Sequence, residues 1–81
     1  MQDIIETLER YATRGIPTGG FLHAVLENDL KAACERADNI NRGRLFEIVS
    51  YCYNNLPAVS WGSPEKVQKW LERCTITQEV E

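Results

Sequence analysis

The sequence predicts an all-α fold, a compact bundle of about four short helices in one domain. Three observations predict it. Apolar residues recur at spacings of three and four along most of the chain. No segment alternates with the period of two that marks a strand. The breaks between periodic segments carry the Gly, Pro and Asn residues that stop helices.

The first helix is predicted over Gln2 to Arg14, with Ile4, Ile5, Leu8, Tyr11 and Ala12 on one face. Gly15 ends it, because glycine takes the left-handed conformation at a helix terminus cheaply, and Pro17 blocks continuation. Thr18 is the expected N-cap of a second helix running from Gly19 to about Ala37. Its stripe is Leu22, Val25, Leu26, Leu30, Ala33, Cys34 and Ala37. Asn28-Asp29 offers a break, but the unbroken four-residue spacing of Leu26, Leu30 and Cys34 favours one bent helix. Asp38-Asn39-Ile40-Asn41 reads as a turn. With Asn41 as N-cap, the third helix covers about Arg42 to Asn54 and turns Leu45, Phe46, Ile48, Val49, Cys52 and Tyr53 inward. The clearest start is Ser63-Pro64-Glu65: a capping serine, a proline at the first helical position and a carboxylate at the positive end of the dipole. Val67, Trp70, Leu71 and Cys74 follow as the buried stripe of the fourth helix. The expected core is Ile5, Leu8, Leu22, Leu26, Leu30, Leu45, Ile48, Val49, Cys52, Val67, Trp70 and Leu71.

Length and charge narrow the classes of function. The 81 residues suffice for one helical domain over 1–74, with 75–81 expected as a flexible tail. A chain this short buries only about 60% of its unfolded surface, so self-association into a homo-oligomer is a natural source of further apolar burial. A net charge of −3 argues against a nonspecific nucleic-acid binder, although Arg42 and Arg44 lie close together. Three cysteines, Cys34, Cys52 and Cys74, lack Cys-x-x-Cys spacing and fall on apolar stripes, as buried thiols in a reducing compartment do. No apolar run is long enough to span a bilayer and no leader is visible, so a soluble cytoplasmic protein is expected.

No catalytic constellation stands out. His23 is the only histidine, and neither a nucleophile pattern nor a metal-ligand spacing accompanies it. We therefore expect no enzyme, no metal and no cofactor. Two short stretches are candidate binding sites. In Gly15-Ile16-Pro17-Thr18-Gly19-Gly20, the hydroxyl of Thr18 and the amides of Gly19 and Gly20 resemble a phosphate cradle at a helix start, with Arg14 nearby to supply charge. The opposing reading is a tight corner whose glycines admit a neighbouring helix. Neither G-x-x-x-x-G-K-[ST] nor G-x-G-x-x-G spacing is present. In Ser60-Trp61-Gly62-Ser63, Trp61 is either an exposed anchor for a partner or a staple folded onto the fourth helix. A helix-turn-helix with Arg42-Gly43-Arg44 opening the later helix lacks the basic, amide-rich face that a major groove requires.

Gly15-Ile16-Pro17-Thr18-Gly19-Gly20-Phe21-Leu22, Asn28-Asp29-Leu30, Ala37-Asp38, Tyr53-Asn54 and Trp61-Gly62-Ser63-Pro64 together resemble a group of very small proteins carried by phages and prophages. The resemblance covers roughly residues 4–72. It implies a phage-borne accessory gene, and it brings no activity, catalytic residue or cofactor with it. Accessory proteins of this kind often block a host protein or sequester a small signalling molecule stoichiometrically. The leading expectation is a host-defence antagonist that binds a protein partner in the bacterial cytoplasm through Arg42, Arg44, Tyr53 and Trp61. The alternatives are a sponge for a phosphate-bearing, cyclic nucleotide at Arg14, Thr18, Gly19 and Gly20, and a small DNA-binding regulator.

Overall fold

The chain folds as α1 (Gln2–Arg14), α2 (Gly20–Leu26), α3 (Leu30–Arg36), α4 (Asn39–Gly43), α5 (Leu45–Asn55), a single 3₁₀ turn (Ala58–Ser60) and α6 (Pro64–Val80). The coordinates are a computed structural model that describes residues 1–80, with side chains as far as Arg73. No strand occurs among the described residues. The all-α class is as expected, but six helices replace about four. The tail expected at 75–81 and the inward face expected for Cys74 lie outside the residues whose side chains are described.

The extra helices arise where short polar side chains satisfy orphan backbone groups. Asn28 adopts φ 62°, in the left-handed region that asparagine tolerates better than most residues. Its N–H donates to the Val25 carbonyl at 3.0 Å, and the Asp29 N–H donates to the Ala24 carbonyl at 2.9 Å. That pair of bonds is a Schellman motif, and it closes α2. Asp29 then caps α3 by accepting from the Ala32 N–H at 3.1 Å. The one bent helix expected over 19–37 is thus two helices: a stop and a start in adjacent residues outweigh unbroken apolar spacing. The same chemistry turns the expected turn at Asp38 into α4, since the Asp38 carboxylate accepts from the Asn41 N–H at 2.7 Å. Asn41 therefore receives a cap rather than providing one, and α5 begins after Arg44 with no side-chain cap.

Two predicted termini form as expected. Gly15 ends α1 at φ 66°, its N–H donating to the Tyr11 carbonyl at 3.0 Å. Ser63 caps α6, accepting from the Lys66 N–H at 3.2 Å. Thr18 does not cap α2. Gly19 holds the cap position with no side-chain bond, while the Thr18 hydroxyl donates to the Gly19 carbonyl at 3.3 Å.

The core joins Ile4, Leu8 and Tyr11 of α1, Leu22, Ala24, Val25 and Leu26 of α2, Ala33 of α3, Ile48 and Cys52 of α5, Leu56, and Val67 of α6. Leu45, Trp61, Trp70 and Leu71 pack against it half-buried. Several expected core residues are outside it. Leu30 is 65% exposed and Cys34 is exposed, because the break at Asn28 interrupts the stripe, while Ala33 stays buried. Ile5 is only half-buried. Phe46, Val49 and Tyr53, expected to face inward, are exposed.

One buried corner ties the ends of the chain together. The Tyr11 hydroxyl, itself buried, donates to the Ser60 carbonyl at 2.6 Å. The Trp70 indole N–H donates to the Tyr11 carbonyl at 3.0 Å, and the Gly62 N–H donates to the Leu26 carbonyl at 2.7 Å. These bonds fix the 3₁₀ turn between α2 and α6. No helix among the described residues is long and apolar enough to cross a membrane.

Candidate functional site

α5 carries more apolar side chain than its neighbours cover. Ile48 and Cys52 point into the core, and Leu45 is half-buried beside them. Phe46, Val49 and Tyr53 follow at i, i+3 and i+7, so they form one stripe along the helix. Phe46 is 83% exposed and Tyr53 is 80% exposed. Each ring offers on the order of 150 Å² of surface, which makes this stripe the size of a patch that marks an interaction site on a small protein.

The stripe continues onto neighbouring elements at both ends. Val49 and Leu45 share a small hollow with Leu30, Ala33 and Val25, under the α2–α3 break. Tyr53 lines a larger groove with Leu56, Ala58, Trp61, Gly62 and Lys66. Exposed Leu30 therefore extends the apolar surface on one side, and half-buried Trp61 extends it on the other. Trp61 packs half-buried against the core and also lines this groove.

Of the four residues expected to meet a partner, Tyr53 and Trp61 come together in that groove, and Arg42 and Arg44 do not line it. The Arg42 Nε donates to the Cys34 carbonyl at 3.1 Å, which latches α4 to α3. Arg44 is half-buried at the α4–α5 junction, where its Nε and the nearby Asn41 Oδ1 are buried without hydrogen-bond partners. Both arginines thus have surroundings set by the α3–α4–α5 corner. Phe46, Val49 and Leu30 are the surface residues that sequence reasoning placed in the core. The signal for them was present: Leu45, Phe46, Ile48, Val49, Cys52 and Tyr53 spread over about 160° at 100° per residue, wider than a core-facing stripe requires.

The glycine corner is open rather than close-packed. Gly19 has an ordinary negative φ of −70°, and a Cβ there would meet nothing within 4 Å. A Cβ on Gly20 would meet only the Arg36 Cδ, at 3.6 Å. No neighbouring backbone approaches either glycine, so close helix packing does not account for them. The Arg36 guanidinium reaches the Gly20 carbonyl at 3.4 Å. Arg14 lines a shallow groove along α1 with Glu6, Glu9, Arg10 and Thr13, and Thr18, Gly19 and Gly20 are not among those lining residues.

The chemistry-bearing side chains are equally dispersed. His23 Nε2 lies 3.0 Å from Glu27 Oε2 one turn along α2. Burial pushes the Cys52 thiol up to about 11, which makes it a poor nucleophile at neutral pH. No group of three His, Cys, Asp or Glu residues among those described is placed to hold a metal ion. Compared with known proteins, the chain matches no family model, no curated protein and no solved structure.

Proposed function

We propose that this chain works by stoichiometric binding of a protein partner through the exposed face of α5. In this reading it is a phage-borne accessory protein that antagonises a host process such as antiviral defence. The single observation that supports it most is the pair of aromatic rings, Phe46 and Tyr53, left 83% and 80% exposed on one helix face. Exposing such rings loses the benefit of burying them, and aromatic side chains are the usual anchors of protein interfaces. The face is also almost free of charge, since Glu47 is the only Asp, Glu, Lys, Arg or His in α5. Interface centres have that composition, with charged groups kept to the rim. A standard interface covers about 800 Å² per partner, so the stripe with Leu30 and the Tyr53–Trp61 groove supplies an apolar centre for one.

The test is Phe46→Ala combined with Tyr53→Ala. The pair should abolish capture of a host protein from bacterial lysate and leave the melting temperature near that of the parent, because neither ring supports the core. Retention of the same captured protein would refute the reading. A concentration-dependent dimer that the same pair dissociates would assign the face to a second copy of the chain instead.

A further inference from the structure

A second surface lies on α6 and adjoins the Tyr53–Trp61 groove at Lys66, which lines both. A cleft of about 300 Å³ opens between α6 and the 3₁₀ turn, lined by Val59, Lys66, Lys69, Trp70 and Arg73. Lys66, Lys69 and Arg73 are all the cations that α6 contains. Glu65 and Glu72 of the same helix are not among the lining residues, and Glu72 Oε1 accepts from Gln68 Nε2 at 3.2 Å. Neither Lys66 nor Lys69 makes an ion pair among the described residues. A chain of net charge −3 has thus gathered three like charges on one wall, where a concave surface concentrates their field.

The opposite component of the cleft is aromatic and apolar. Trp70 is held in place by its indole N–H bond to the Tyr11 carbonyl at 3.0 Å, so the ring presents a fixed surface. The Arg73 Cζ sits 5.8 Å from the ring centroid, a cation–π contact that adds a planar guanidinium to the platform. Val59, 61% exposed, faces the cleft from the 3₁₀ turn. A simple anion has no use for Trp70 and Val59, and a neutral aromatic has none for two unpaired lysines. A ligand that carries both a flat ring and a phosphate uses all of them.

We propose that this cleft binds a free nucleotide, with its base stacked at Trp70 and its phosphate held by Lys66 and Lys69. The volume falls at the lower end of small-ligand sites, which suits one nucleotide. Three cations on an acidic protein are too few for the many phosphate contacts on which nucleic-acid binding depends. The site is distinct from the helix start at Thr18-Gly19-Gly20 and shares Lys66 with the groove beside α5.

Trp70 is the natural reporter. The chain has two tryptophans, so Trp61→Phe leaves Trp70 as the only one. Titrating that variant with 5′-AMP, 5′-GMP and 5′-CMP should give saturable quenching with at least one of them. The matching nucleoside and inorganic phosphate should each bind at least tenfold more weakly, phosphate being read by competition. Equilibrium dialysis of the unsubstituted protein against the same nucleotides repeats the measurement without relying on the variant's folding. Lys66→Gln with Lys69→Gln should weaken binding at least tenfold without moving the melting temperature. Absence of saturable binding by every mononucleotide at millimolar concentration overturns the proposal, as does undiminished binding in the lysine pair variant. Tighter binding of a single-stranded oligonucleotide, weakening steeply with salt, overturns it in favour of a nucleic-acid groove.

Discussion

Tyr11 connects α1 to two distant elements through its two oxygens, the hydroxyl reaching Ser60 and the carbonyl receiving the Trp70 indole. Tyr11→Phe keeps the ring and removes only the hydroxyl, which leaves the buried Ser60 carbonyl without that donor. The expected cost is about 1–2 kcal/mol in chemical denaturation, with little change in the slope. A cost near zero would mean that water replaces the hydroxyl freely. Cys52 yields a prediction about pH. Its thiol rises from an ordinary 9.0 to about 11 because burial penalises the thiolate. Below pH 9 the thiol is neutral in both folded and unfolded chains, and the shift has no effect. Between pH 9 and about 11 the unfolded chain ionises and the folded one does not, so stability is lost as pH rises, by about 2–3 kcal/mol in full. Tyr51, raised from 10.0 by burial and then by the Glu9 carboxylate, adds a loss of the same sign at higher pH. Denaturation of Cys52→Ala across this range should show a shallower fall than the parent; an equal slope would show that the thiol ionises as easily folded as unfolded.

At the scale of elements, the α2–α3 boundary shows which sequence signals dominate. Apolar spacing alone ran through Asn28, but a residue that accepts positive φ followed by a capping Asp ended one helix and began the next. Asn28→Gly should be neutral or stabilising by a few tenths of a kcal/mol, whereas Asn28→Ala should cost about 1 kcal/mol, since alanine resists positive φ. Thermal melts of both distinguish this boundary from a bent continuous helix, in which alanine would be the better residue. The termini at Gly15 and Ser63 were legible because one residue's chemistry decides each. The course of α5 was legible too, but the fate of its apolar residues was not. Periodicity tells which side chains share a face; it does not tell how much of that face the neighbouring helices cover. Leu30 and Cys34 were misplaced for a related reason: the break at Asn28 leaves them exposed, while Ala33 and Ala37 of the same stripe stay buried. The basic wall of α6 was visible as Lys66, Lys69 and Arg73 at helical spacing around Trp70, and only the cleft beside the 3₁₀ turn gives that spacing a meaning.

At the scale of the whole molecule, a small helical core leaves two dissimilar surfaces open. One is the uncharged aromatic stripe of α5, and the other is the cationic cleft of α6. The fold class was legible from the sequence because helical periodicity and end signals are local properties. Of the exposed α5 face and the groove beside it, the sequence pointed only to Tyr53 and Trp61, because exposure depends on how the helices pack. Stability and binding should separate cleanly on this molecule: changes at Tyr11 or Cys52 act on folding, and changes at Phe46 or Tyr53 act on recognition. The most direct measurement compares host-lysate capture by the parent chain and by the Phe46→Ala, Tyr53→Ala variant, with a melt of each. A partner retained near one-to-one by the parent and lost by the variant, with melting temperatures within about 3 °C, is the predicted result. A partner held equally by both chains, or none held by the parent, would contradict it.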